Sequence, residues 1–244
     1  MLLAQLGQTT HIYDDWAPTL AGAYRVLGLT RRGYGQSTAP ATGFFMERLA
    51  SDIVAALDAE GLGAPVLVGN GFAGEEMTWI GTHLPDRVGG LVYLNAAYDR
   101  TNIAAESAIA RQVPPQPPGP QDFANAQAIT RWSSERLGVP MPESEMRQLA
   151  RFADDGRVVG QRTPVSVQQQ IVASIVRSDY SRVRVPAMSI YTRPTSVNSL
   201  PGCRTATDSL VRQGLRGVRR PTIGQLGASC GFARRARDRT ALAG

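Results

Sequence analysis

The chain contains no lysine; all 26 of its basic residues are arginine. Histidine and cysteine are nearly as scarce, with two of each in 244 residues. Cys203 and Cys230 are too few and too late in the chain to suggest a disulfide framework. No apolar run approaches the roughly 18 consecutive residues that a membrane span requires. The start, MLLAQLGQ, has neither the basic region nor the apolar region of a signal peptide. A cytoplasmic protein with no membrane partner is therefore expected, with no cofactor and no metal; the oligomeric state stays open.

The net charge of +6 is unevenly placed. Residues 202–244 carry 9 Arg against 2 Asp, whereas residues 1–201 carry 17 Arg against 18 acidic residues. Basicity thus belongs to the tail, and the rest is close to neutral. The end, FARRARDRTALAG, lacks the interleaved aromatics of a nucleic-acid surface, so nucleic acid is not an expected partner. An all-Arg chain rich in Gly and Ala suggests GC-rich coding DNA. A frame-shifted C-terminus is one expectation that follows.

What the sequence does contain is an alternation of strand and helix signals. Tyr24–Leu29 reads as a short strand leading into the turn-rich RRGYGQS. Phe45, Leu49, Ile53 and Leu57 recur at helical spacing over 45–60, and Gly61 and Gly63 stop that helix. A strand at 65–68, a glycine-flanked turn, a helix at 74–84 and a strand at 90–94 follow. Strands separated by helices imply a parallel sheet. Beyond Arg100 the pattern changes. After the stiff connector PPQPPGP (114–120), three helical stretches are expected with no strands between them. They carry Phe123, Ile129 and Trp132, then Met146, Leu149 and Phe152, then Val167, Ile171 and Ile175. Residues 186–191 resume a core strand, and 205–217 form one more helix. From 218 onward neither period appears, and a loosely packed or disordered tail is expected.

Four segments together resemble the α/β-hydrolase family over roughly residues 2–215. LGQTTHIYDDWAPTL resembles its oxyanion loop, and YRVLGLTRRGYGQS the strand and turn often written D-x-R-G-x-G-x-S. VLVGNGFAGEE (66–76) resembles the nucleophile elbow, and LPDRVGGLVYLNAAYD the following helix end and strand. The resemblance implies an α/β three-layer sandwich with a mostly parallel central sheet, shortened at its N-terminus to Leu2-Leu3, and a helical cap insertion. Core residues 1–99, a cap at 100–180, core continuation at 181–217 and a degenerate tail at 218–244 are the implied boundaries.

The resemblance also implies a catalytic layout, and this chain departs from it. The nucleophile position is Gly71, which has no side chain, and the residue before it is Asn70. The backbone N–H of Phe72 remains as half of an oxyanion hole, and Ala4-Gln5 stands where the second donor loop begins. The acid position falls at Asn95, with Asp99 nearby, or after the strand at 186–191, where TRPTSVNSL offers no carboxylate. No histidine follows His83, so the general base is missing. His11 fits a capping or packing role before Trp16, and His83 a helix C-terminus, where a cation suits the dipole. Glu75 and Glu76 suit the first turn of the helix after the elbow for the same reason, ahead of a general-base role. Asp99 fits a loop contact with Arg100.

Glycine at the apex relieves the strain that a positive φ imposes on other residues. The elbow then persists as a fold element. Three functional expectations stand side by side: a relative of small-ester hydrolases that lacks triad catalysis and binds a small apolar molecule under the cap; a truncated or frame-shifted product; and an active hydrolase with another nucleophile.

Overall fold

The computed structural model describes residues 1–96, 117–137, 140–175 and 178–190. Among these, five strands form one parallel sheet in the order β2-β1-β3-β4-β7. The strands are β1 (Leu2–Leu3), β2 (Gly28–Leu29), β3 (Val66–Gly71), β4 (Gly90–Ala96) and β7 (Ala187–Ile190). Although only two residues long, β1 is an interior strand: Leu2 pairs with both Gly28 and Val68, and Leu3 with both Leu29 and Gly69.

Helices cover the sheet: α1 (Ala17–Ala21), α2 (Met46–Ala59) and α3 (Ala73–His83). Helix α2 buries Met46, Leu49, Ala50, Ile53 and Leu57, a stripe at three- and four-residue steps. Phe45, assigned to that stripe from sequence, is instead the exposed N-cap residue. The main core joins Leu57 and Ile53 of α2 to Leu67 of β3, Met77 and Ile80 of α3, and Leu91 and Tyr93 of β4. No helix among the described residues is long and apolar enough to cross a membrane.

Two further sequence expectations need correction. The strand expected over 24–29 is only Gly28–Leu29, because its partner β1 is itself two residues long, and Tyr24 is exposed. The stretch after the connector is not purely helical. Helices α4 (Ala126–Leu137) and α5 (Glu143–Leu149) are followed by an antiparallel hairpin, β5 (Ala150–Phe152) with β6 (Val158–Gln161), before α6 (Val165–Ala173). Phe152 is therefore in a strand, Phe123 in a 3-10 turn at 120–123, and Ile175 just beyond the end of α6. Helix α6 packs Val167 and Ile171 on Tyr34, Phe44, Leu49 and Phe72, which seats this segment on the sheet unit. The connector up to Gln116, Asp99, the segment TRPTSVNSL, the helix expected at 205–217 and the tail from 218 lie outside the described residues.

Candidate functional site

Strand β3 runs without a loop into α3, with Phe72 as the N-cap residue in helical geometry (φ −60°, ψ −28°). The turn is tight. A β-carbon at Gly69 would lie 2.8 Å from the Ala73 Cβ, so the first turn of α3 rests on the strand end. At the apex, Gly71 has φ +54°, the left-handed geometry that the elbow resemblance implies. The space that a side chain there would enter is filled. A β-carbon on Gly71 would stand 2.9 Å from both the Cβ and the Oε1 of Gln5.

Gln5 is held in place by its own backbone. It follows β1, and its carbonyl accepts from the Gln8 N–H at 3.2 Å and from Arg31 Nη1 at 3.5 Å. Ala4, buried beside it, gives its carbonyl to Arg31 Nη2 at 3.0 Å. Asn70 faces sideways, donating from Nδ2 to the Leu94 carbonyl at 2.9 Å and so tying the end of β3 to β4. The ladder there slips: Asn70 pairs with Leu94 but Gly71 with Ala96. Asn95 is the residue left over, and it is the one non-glycine with positive φ (+43°) among the described residues. Asn95, one of the acid positions that the resemblance implies, thus sits on a bulge at the end of β4, where that strand pairs with the end of β3.

The two carboxylates after the elbow are both buried, and each has a specific partner. Glu76 receives Arg31 Nε at 2.7 Å and Nη2 at 2.6 Å, a bidentate pair. The Arg31 guanidinium also lies 5.0 Å from the Phe72 ring centroid. Burial works against the Arg31 charge, but the Glu76 carboxylate overrides it and raises the pKa further. Glu75 accepts from the Ser178 hydroxyl. Neither carboxylate is a bare dipole complement of the kind the sequence suggests. Arg31 was not singled out from sequence, since a buried ion pair leaves no periodic signal; the doubled Arg in TRRGYGQS was the available sign.

The histidines are placed elsewhere. His83 closes α3 at the end opposite the elbow, about 15 Å along the helix axis. Its Nδ1 lies 2.9 Å from the Trp79 carbonyl, and its ring stacks on Trp79. His11 is exposed, with Nδ1 2.9 Å from Asp14 Oδ2. Neither contact aims a ring at Gly71.

A third buried acid joins α5 to the loop after β1. Glu145 is fully buried and accepts from the Thr9 N–H at 2.7 Å and from the Thr9 hydroxyl. Burial raises its pKa, with the bonds from Thr9 opposing that shift. Leu6, Trp79 and Ile175 are partly buried and pack against the cluster that contains Phe72. As it stands, the apex offers backbone N–H groups and apolar contact, but no hydroxyl, thiol or carboxylate at the position where the elbow presents one.

Residues 1–213 match the alpha/beta hydrolase fold family. A 3-oxoadipate enol-lactonase 2 of Acinetobacter baylyi is 24% identical over 185 residues, 76% of this chain and 67% of that protein. A non-heme chloroperoxidase of Streptomyces lividans is 34% identical over 88 residues, 34% of this chain, and the match spans about a third (32%) of its length. Among solved structures, an E-2-(acetamidomethylene)succinate hydrolase superposes with a TM-score of 0.68 at 16% identity, covering 87% of this chain and 78% of that one. At that identity the likeness concerns the fold.

Proposed function

The chain belongs to the alpha/beta hydrolase fold family, and from that premise we propose that it binds a small, largely apolar molecule beside the elbow without hydrolysing it. One observation carries this reading: Gly71 at φ +54° has the Gln5 side chain standing over it, where a nucleophile would project. Loss of a nucleophile alone leaves an empty notch that water or another side chain can use. Here the notch is occupied, and both nearby acids are committed to Arg31 and Ser178. Leu6, Trp79 and Ile175, partly buried and packed on the cluster that holds Phe72, are the apolar side chains we assign to the ligand.

Turnover of activated aryl esters tests the first half. The purified chain is expected to hydrolyse p-nitrophenyl acetate and butyrate no faster than an unrelated protein of similar surface charge. Activity that exceeds that control and survives repurification overturns the proposal, as does a serine-directed phosphonate adduct mapped to residues 66–76. Quenching of Trp79 fluorescence by a small apolar probe such as cyclohexanone, lost in Trp79→Phe, tests the second half.

A further inference from the structure

A cavity of about 370 Å³ opens between α2 and the 30–38 turn, and its volume lies within the range of about 300–1,000 Å³ common for ligand pockets. Its lining is zoned. Leu3, Leu29, Leu49 and Ile53 supply an apolar floor, while Arg32 and Arg48 stand on its polar side. Of the charges around it, Arg31 and Glu76 neutralise one another. Arg32 gives Nε and Nη2 to Asp52, and Arg48 Nε lies 3.3 Å from the same carboxylate. Two guanidinium groups therefore share one acid and leave one positive charge in excess. Among the described residues, Nη1 of Arg32 and both terminal nitrogens of Arg48 have no acceptor.

We infer that this cavity binds a small monocarboxylate with a short hydrocarbon chain. One surplus charge matches a single carboxylate, and a dianion would exceed it. The unused N–H groups supply charge-assisted hydrogen bonds, which are stronger than neutral ones. The leucines and Ile53 take the chain out of water, so a bare inorganic anion leaves half the lining unused. The site is separate from the elbow surface of Leu6, Trp79 and Ile175, and neither proposal depends on the other.

Calorimetric titration of the full chain with sodium hexanoate at low salt, beside 1-hexanol as the neutral counterpart, tests it. Hexanoate is expected to bind at least ~10-fold more tightly than hexanol, the scale of one hydrogen bond to a charged group, and to weaken as salt is added. Arg48 is half exposed, so Arg48→Gln should melt like the parent while losing about as much hexanoate affinity. Arg48→Lys should retain most of it. Amide shifts on binding should centre on residues 29–32 and 48–53. Absence of hexanoate binding, equal binding of hexanol, or an Arg48→Gln variant with full affinity overturns the inference. So do shifts centred on Gln5, Gly71 and Phe72, an outcome that would leave the elbow proposal standing.

Discussion

A β-carbon at residue 71 would meet two penalties together: a φ of +54° and contact at 2.9 Å with the Gln5 side chain. Gly71→Ser is therefore expected to cost about 1–3 kcal/mol in urea unfolding and to remain without esterase activity, since no base stands by the new hydroxyl. Adding Gln5→Gly removes the clash but not the torsional strain, so the double variant should regain only part of that loss. A Gly71→Ser protein as stable as the parent, or one that turns over ester, would mean that the turn relaxes or that a base has gone unseen. The Arg31–Glu76 pair follows a different logic at the same scale. Taking two charges out of water is costly, and removing one partner strands the other. Arg31→Met should cost about 3–5 kcal/mol, whereas Arg31→Met with Glu76→Leu should recover most of it. Equal losses in the single and double variants would show that Arg31 acts through its bonds to Ala4 and Gln5 rather than through Glu76.

Among the elements, legibility followed the apolar stripe. Leu49, Ile53 and Leu57 announced α2, and the run Val66-Leu67-Val68 with its flanking glycines announced β3 and the elbow. The β5–β6 hairpin was not seen because each strand is too short for a period of two to emerge. Its turn, Ala153–Arg157, did contain the sign: Gly156 at φ +84°. The polar half of the candidate site was hidden for a related reason. Gly71 and Asn70 follow from the elbow resemblance and Asn95 from that of the strand after it, but Gln5 over Gly71, Arg31 on Glu76 and Glu145 on Thr9 are pairings across 66, 45 and 136 residues respectively that no local pattern encodes. Glu145 makes its element testable by pH. Burial raises its pKa, so between the ordinary glutamate value, about 4.3, and the raised one the folded chain holds a proton that the unfolded chain has released. Stability from this group is then present at low pH and lost as pH rises. His11 and Asp14 are the charged neighbours, acting in opposite directions. Glu145→Gln cannot ionise, so its stability relative to the parent should improve as pH is raised above that value and level off above the raised pKa. A constant difference across that range would show that Glu145 is ionised throughout in the fold.

Across the whole molecule, the cores are not separate. Trp79 packs against both the sheet core around Leu57 and the cluster in which Ile171 of α6 meets Phe72 and Tyr34. The segment carrying α4 to α6 is further joined to the loop after β1 by Glu145 with Thr9 and by Ser144 with Asp14 at 2.6 Å. Apolar continuity of this kind favours one cooperative transition over stepwise loss of the 117–175 segment. Leu57→Ala and Ile171→Ala remove fully buried side chains from the two ends of that continuous core, and each should cost about 2–5 kcal/mol. Val172→Ala, one residue along α6 but exposed, should stay within about 0.5 kcal/mol of the parent. The decisive feature is the shape of the curves. Tryptophan fluorescence and far-ultraviolet circular dichroism should coincide in all three variants, each shifted as a single transition. If Ile171→Ala instead splits off an early phase that Leu57→Ala leaves untouched, α6 and its neighbours unfold on their own. The shared Trp79 contact would then be too weak to couple them.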